Sequence, residues 1–450
     1  MFRRLMCLLS LTVLSTCQAP PDFQRVQFLQ SLAKKPAKPT NKDGMQIYYG
    51  NLHSHTSYSD GILIPREAYR MAEGYGLDFL AVTEHNHAAA GGNDGVWLTP
   101  ERYEDLKKSA AEFTKPGKFA ALYGQEFSTI SSGNHVNIFN ANSIIDVPNG
   151  DFKTLYEQWL PQHPEVAFIQ FNHPNYKSDL GLAPNDHGGN QTRSSAQQAQ
   201  KIAADLAEEQ HHQMEAQAEA RLFPQSRSKS DSFNDYGYDD YKGNFAAIAQ
   251  AANPYVRTIE ILNGPGTSPK PQPKAEAYME EDYFFYLNQG FKLAPSADQD
   301  NHYAHWGSLH PGRTGVLAKE LTPAGIYDAI RARRVFASED QNLELVLQAN
   351  GAYMGDIIQA SGKVQLNVHL LDRDEPKASY TLQIFADQVG GPTAVPVIQQ
   401  QIAPGRNQLS FEWQAPAGES YVFAKVTQLN ESGSQDDAWT APIWIQAAKR

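Results

Sequence analysis

Gln46-Ile47-Tyr48-Tyr49-Gly50-Asn51-Leu52-His53-Ser54-His55-Thr56-Ser57-Tyr58-Ser59-Asp60-Gly61 reads as a short strand over Gln46–Gly50 that runs into a polar turn with two histidines and an aspartate. Alternate residues of an extended segment point the same way, so His53 and His55 can both face one ion. Pro65 then opens a helix that places Ala68, Met71, Ala72 and Tyr75 on one face at helical spacing.

The theme recurs along the chain. The strand Phe79–Val82 ends in Thr83-Glu84-His85-Asn86-His87, and Phe119–Gly124 ends in Gln125-Glu126. His135 opens the strand Val136–Phe139, and Val166–Phe171 ends in Asn172-His173-Pro174. After Thr258–Leu262, the strand Phe291–Pro295 ends in Ser296-Ala297-Asp298-Gln299-Asp300-Asn301-His302. Short apolar strands alternating with helices predict an α/β fold with a mainly parallel sheet, open or closed into a barrel. Barrel active sites lie at the C-terminal ends of strands, where these polar residues fall. Any one of the motifs alone is commonplace; six on successive strand ends point to a metal site. Mixed imidazole and carboxylate ligands suit Zn²⁺, Mn²⁺ or Fe²⁺. About nine of them exceed the needs of one four-coordinate ion, so two or three divalent metals are expected.

Taken in this order, the motifs resemble those of the PHP (polymerase and histidinol phosphatase) family over residues 45–340. The resemblance implies a metal-dependent phosphoesterase on a distorted (β/α)7 barrel with a di- or trinuclear site. The family's first motif matches His53, His55 and Asp60; its second, normally Thr-Asp-His, is here Thr83-Glu84-His85. Glu126 corresponds to the bridging carboxylate, and His135 and His173 to the two histidines that follow. The closing Asp-x-His motif matches Asp300-Asn301-His302, with Asp298 as a supporting group or a substitute ligand. Carried over, the family roles give one metal to His53, His55, Glu126 and Asp300 and a second to Glu126, His135 and His173. Asp60, His85 and His302 would hold a third or complete the site.

A bridged pair of cations lowers the pKa of a bound water and clamps the oxygens of an in-line displacement, which suits phosphomonoesters or phosphodiesters. His87, His302 and His305 are candidate proton donors to the leaving group, and Arg313 is a candidate phosphate fork. No GxSxG elbow, P-loop or HExxH helix competes. Two rival readings keep the same site: hydrolysis of carboxylic or carbamate esters, or a surface binding protein without turnover. Glu260 and Asn263 stand at a strand end without a motif to commit them. His211, His212 and His369 read as solvated or structural, and Trp439 and Trp444 as packing residues.

The rest of the chain frames this body. Residues 177–242 break the rhythm and read as a polar insertion on the barrel. Residues 341–450 carry short alternating β-runs such as Val364-Gln365-Leu366-Asn367-Val368, which predict a C-terminal β-sandwich. At the start, Arg3-Arg4, the apolar run Leu5–Leu14 and Cys17 read as a secretory signal over residues 1–17. Leu14-Ser15-Thr16-Cys17 resembles a bacterial lipobox, which implies a lipid anchor at Cys17 and an outer-membrane or periplasmic lipoprotein. An ordinary signal cut beyond Cys17 would give a secreted protein instead. Residues 18–44, rich in Lys and Pro, read as a tether.

Composition sets the outer limits. Over 450 residues, 41% hydrophobic and 20% charged content excludes a wholly disordered chain and a polytopic membrane protein. A formal charge of −12 argues against non-specific nucleic-acid binding, which needs cationic surface. Cys7 and Cys17 are the only cysteines, too few for a disulfide scaffold or a cysteine-rich zinc module.

Overall fold

The structure is a computed structural model that describes residues 43–86, 98–127, 134–148, 150–175, 235–390, 395–431 and 433–446. The signal and lipobox, nearly all of the tether, His87, His211, His212 and most of the 177–242 segment lie outside these residues.

In chain order, the first part comprises β1 (Gln46–Asn51), α1 (Pro65–Gly74), β2 (Phe79–His85), α2 (Pro100–Phe113), β3 (Ala120–Phe127), β4 (Val136–Phe139) and β5 (Ile169–Phe171). There follow α3 (Phe245–Ala252), β6 (Val256–Asn263), β7 (Ala277–Tyr278), α4 (Glu280–Asn288), β8 (Ala294–Ala297), β9 (Arg313–Ala318), α5 (Pro323–Arg331) and β10 (Val335–Ser338). The last part holds strands β11 (Glu344–Ala349), β12 (Ala352–Tyr353), β13 (Ile357–Gln359), β14 (Gly362–Leu371) and β15 (Ser379–Gln388). It ends with β16 (Val395–Ile402), β17 (Gln408–Ala415), β18 (Ser420–Leu429), β19 (Gln435–Thr440) and β20 (Ile443–Gln446).

Local chemistry explains the helices. Thr99 caps α2 by accepting from the Arg102 amide at 3.3 Å, and Pro100 takes the first helical position, where its missing N–H costs nothing. The buried faces of α1 (Ala68, Tyr69, Ala72) and α2 (Tyr103, Leu106, Ala110) share one apolar cluster with Leu80, Val82 and Ala121 of β2 and β3. The Tyr69 hydroxyl satisfies itself by donating to the Leu122 carbonyl at 2.7 Å.

The result is a mixed α/β protein with one large sheet and few helices. Its strands run β13-β20-β18-β19-β10-β9-β1-β2-β3-β4-β5-β6-β7, with β8 also on β6, and β15 and β16 branching from β18. The sheet is less parallel than the sequence predicts. β1–β2, β2–β3, β5–β6 and β6–β8 are parallel, but β4 is antiparallel to both β3 and β5, and β9 is antiparallel to β1. The reversal at β4 explains how a residue before a strand can join residues at strand ends. Val136 sits opposite Phe127, so His135, at the start of β4, lies at the end of the sheet where β3 finishes.

The C-terminal strands make two layers. β12-β11-β14-β17 forms a four-stranded sheet, and Leu345, Leu347, Leu366 and Val368 from it share a core with Leu382, Ile384, Val422 and Val426 of β15 and β18. The second layer is continuous with the large sheet, because β19 pairs with β10 (Phe336 opposite Thr440) and β10 with β9. Strands β9 and β10, unread in the sequence, make that join. Tyr236 is buried and stacks on Phe171 at 3.6 Å, so it packs against β5. No helix among the described residues is long and apolar enough to cross a membrane.

Candidate metal centre

Strand alternation sorts the polar residues. In the segment after β1, Ser54 donates to the Ala81 carbonyl at 2.7 Å, while His53 and His55 turn to the other side. At the end of β2, Glu84 and His85 diverge in the same way. His85 is in register with Glu126 of β3, whose neighbour Gln125 turns away to bond Ser143 and Ile145. Period-two geometry on adjacent parallel strands thus brings His53, His55, His85 and Glu126 to one place.

The Glu126 carboxylate is the hub. Its Oε1 lies 3.1 Å from His53, 3.2 Å from His135 and 3.3 Å from His173. Its Oε2 lies 3.0 Å from His85 and 3.3 Å from His55. Asn172 Nδ2 donates to the same Oε1 at 2.8 Å. Asp300 Oδ1 sits 3.2 Å from His53 Nε2 and 3.1 Å from His55 Nε2. Asp60 Oδ2 lies 3.2 Å from His302 and 3.6 Å from His85. Four overlapping groups could each hold a metal ion: His55, Asp60, His85 and His302; His53, Glu126 and His173; His53, His55 and Asp300; and His85, Glu126 and His135.

The spacing fits cations better than hydrogen bonds. Two ligand atoms, each ~2.1 Å from one ion at tetrahedral or octahedral angles, lie about 3–3.4 Å apart. Asp300 Oδ1 meets two imidazole nitrogens at that range, yet it is buried and makes no hydrogen bond, and buried His173 Nδ1 also lacks one. His53 Nε2 and His55 Nε2 face each other at 3.2 Å, a contact that neutral rings tolerate only with one shared proton or a common cation between them.

Burial and charge oppose each other here. Burial disfavours a charged His53, but the carboxylates of Asp300, Glu126 and Glu260 outweigh it and hold its pKa well above the usual range. Burial would raise Glu126 and Asp60, yet surrounding histidines hold both well below the carboxylate range. His302 is pushed up to about 9 against burial, chiefly by Asp60. His173 is lowered, mainly by burial. These are the signatures of acidic and imidazole groups that stabilise one another.

Two ligand candidates sit on strained backbone. Asp300 has φ +48° and His173 φ +26°, conformations that disfavour an L side chain. Gly266 allows the first, because a Cβ there would come within 1.9 Å of the Asp300 carbonyl oxygen. Gly61 serves the Asp60 turn: a Cβ would lie 2.8 Å from the His55 backbone.

Four motif or candidate residues lie outside the ligand cluster. Asp298 is not in the cluster: its Oδ1 accepts from the Leu52 amide at 2.5 Å and Thr314 Oγ1 at 3.3 Å, and its Oδ2 from Gln170 at 3.1 Å. Its carboxylate is used up in holding the segment before His53. Arg313 is buried and donates to the carbonyls of His310, Gly312 and Gly307 at 2.9, 2.7 and 2.5 Å, so it braces the loop before β9 and is in none of the ligand groups. His305 turns to the Ser268 carbonyl at 2.8 Å and stands outside the cluster. Glu84 accepts from the Thr56 amide at 3.1 Å and from the hydroxyls of Thr56 and Ser59, so it folds the turn that carries Asp60.

Glu260 gains a role that no motif announces. Its Oε1 lies 2.8 Å from His53 Nδ1, and its Oε2 accepts from the His173 amide at 2.5 Å and Asn263 at 2.7 Å. A carboxylate behind a ligand imidazole fixes its tautomer and ring orientation. The visible signal was a charged residue inside the apolar run Ile259-Glu260-Ile261-Leu262.

Fold and cluster together define a mixed α/β protein with a histidine and carboxylate centre that could bind divalent metal. No family model and no curated protein matches the chain. Three solved structures resemble it at low sequence identity. One is a two-domain protein containing a predicted PHP-like metal-dependent phosphoesterase from Bacteroides vulgatus ATCC 8482, at 15% identity and TM-score 0.38, covering 91% of this chain and 100% of that one. Another is a candidate metal-dependent phosphoesterase from Bifidobacterium adolescentis ATCC 15703, at 13% identity and TM-score 0.22, covering 58% of this chain and 88% of that one. A third, the PmoD soluble domain from Methylocystis sp. ATCC 49242, matches 23% of this chain and 90% of that one, at 17% identity and TM-score 0.18.

Proposed function

We propose that this protein is a metal-dependent hydrolase of phosphate esters that works at a di- or trinuclear centre. The observation that carries the reading is the Glu126 carboxylate, met by five imidazoles within 3.3 Å, with Asp60, Asp300 and His302 completing the shell. Divalent ions held there, Zn, Mn or Fe by the donor set, would supply an activated water and a clamp for phosphate oxygens.

The chain's own work is preorganisation. Glu126 would bridge; Glu260 fixes His53; Asp298, itself held by Gln170, anchors the Leu52 amide one residue before it. Asp60, the most exposed of the nine ligand candidates at 30%, together with Asp300 and His302, marks the side from which substrate would approach. His302 is the remaining proton-donor candidate among the described residues.

Around this centre the reading takes residues 45–340 as a distorted seven-stranded barrel and 341–450 as a β-sandwich that braces it through the β10–β19 junction. The 177–242 segment is an insertion. Cys17 carries a lipid that tethers an exported enzyme to a membrane surface. Metal analysis of the purified chain, followed by a panel of phosphate and carboxylate esters, tests the activity. Two or three equivalents of metal and metal-stimulated phosphate release are expected. No bound metal and no hydrolysis of any ester would overturn the enzyme reading, and turnover confined to carboxylate esters would transfer it to the other bond.

A further inference from the structure

Beside the open edge of the cluster stand three consecutive, partly exposed aliphatic side chains. Ile62, Leu63 and Ile64 are 41%, 45% and 41% exposed. They follow directly on Asp60-Gly61, and the Ile62 amide donates to the carbonyl of His302 at 2.9 Å, so they are tied to two of the ligand candidates at the rim. The Leu63 carbonyl accepts from the Ser57 amide at 2.7 Å, which fixes the loop.

Local structure calls for other residues at these positions. Leu63 has φ +57°, where Gly or Asn is favoured and a branched aliphatic residue is strained. Ile64 is the N-cap of α1 and makes no side-chain cap, where Ser, Thr, Asp or Asn would contribute a hydrogen bond. A hydrophobic residue before an N-cap can staple to the fourth helical residue, but here that residue is Ala68, and Leu63 stays 45% exposed. Backbone preference, capping and solvation all oppose this triplet. Sequences break several local rules at once chiefly where function requires it.

We propose that Ile62, Leu63 and Ile64 form an apolar ledge that binds the hydrocarbon part of the substrate, so that the site selects phosphate esters carrying an alkyl chain. The inference rests on the phosphoesterase reading for the headgroup, while the ledge itself recognises only the chain. Phosphate bound at the cluster would direct its ester substituent outward past Asp60 and His302, across this rim.

The test uses metal-loaded full-length protein and n-alkylphosphonates from methyl to octyl, whose P–C bond resists phosphoesterase cleavage, with binding read by calorimetry. The octyl compound is expected to bind at least ~10-fold tighter than the methyl one, since each methylene gains affinity as it leaves water. In a triple variant, Ile62→Ser, Leu63→Asn and Ile64→Ser, that octyl-to-methyl ratio should fall to within about twofold of one. The three replacements suit the local backbone, so a melting temperature at or above wild type certifies the fold. A ratio near one in wild type, or an undiminished ratio in the variant, overturns the ledge. A variant that keeps the ratio but loses partition into phosphatidylglycerol vesicles assigns the triplet to membrane contact and equally overturns it. If no phosphonate binds but n-alkyl carboxylates do, with the same ledge-dependent ratio, the ledge stands and the phosphate reading fails.

Discussion

His53 and His369 each hold a glutamate at 2.8 Å, and their surroundings show two ways to accommodate ionisable groups. In the C-terminal strands, Glu344 takes His369 on one oxygen and Arg373 on the other, and the second nitrogen of His369 meets Gln408 at 2.7 Å. There each oxygen of Glu344 and each ring nitrogen of His369 has one hydrogen-bonding partner from the chain. At the cluster, the single Nε2 of His53 meets Glu126 at 3.1 Å, Asp300 at 3.2 Å and His55 at 3.2 Å. One imidazole nitrogen carries at most one proton or one lone pair, so it cannot serve three partners as hydrogen bonds. The C-terminal group is complete within the protein. The cluster could instead take a metal ion from outside, and leaving so many buried polar atoms without a partner of their own is costly.

Loss of the hub is the hardest test of that contrast. Glu126→Gln keeps the shape but removes the bridging charge among five imidazoles; turnover should fall by on the order of 10³-fold, with reduced metal content. Wild-type activity and stoichiometry in this variant would show the bridging role to be misassigned. His369→Gln, by contrast, should leave turnover and metal content alone.

Chelation should separate the two regions without mutation. Metal at about 100 times its dissociation constant stabilises the folded state by ~2.7 kcal/mol, so its removal should lower the melting temperature by several degrees. Hydrogen exchange should quicken in 51–60 and at the ends of β2 and β3, and stay unchanged in β14 and β17. Uniform loss of protection would mean that the cluster braces the whole molecule rather than its own end of the sheet.

Glu260→Gln should weaken metal binding by ~10–100-fold, as removal of an orienting carboxylate does elsewhere, while metal number stays the same. Asp298→Asn should keep the metal stoichiometry, and Asp300→Asn should reduce it. A reversed outcome for the two aspartates would move the ligand from 300 to 298.

These distinctions mark where sequence reading ends. Alternation along one extended segment was enough to put His53 and His55 on one side, because it is a local property, whereas His85 and Glu126 were assigned only by their resemblance to family motifs. Spacing was also enough to place short strands within a few residues of their limits. It could not separate Asp298 from Asp300, two residues apart on one segment, since the difference lies in the Leu52 amide far away in the chain. Arg313 looked like a free fork because nothing in its neighbours announces that three carbonyls curl back to it. The antiparallel turn of β4 and the β9–β10 join to β19 depend on pairings between remote segments. Glu84 sits at a motif position yet spends both oxygens on the turn at Thr56 and Ser59, an outcome that needs the fold of that turn to be seen.

The smallest expected effect lies at the seam between the two regions. Burial, and after it the charge of Asp372, pushes the carboxyl of Asp340 up to about 7. The folded protein therefore holds this proton more tightly than the unfolded chain, whose carboxylate titrates near ~4. The contribution to stability is complete below that lower value and is lost as pH rises through about 7. Asp340→Asn keeps an oxygen for the Asn342 and Leu343 amides, each 2.8 Å away, and removes the charge that faces Asp372 and Asp436. The side chain is partly exposed, so water screens much of the repulsion, and the variant should gain only ~1 kcal/mol at pH 8 and almost nothing at pH 4. Denaturant unfolding at the two pH values reads the difference directly. An equal gain at both would mean that the seam responds to the shape of the side chain and not to its charge. A pH-dependent gain would identify the seam as a place where this chain accommodates a partly buried acid through protonation, in contrast to the cluster, where neighbouring histidines hold Asp60 and Glu126 ionised.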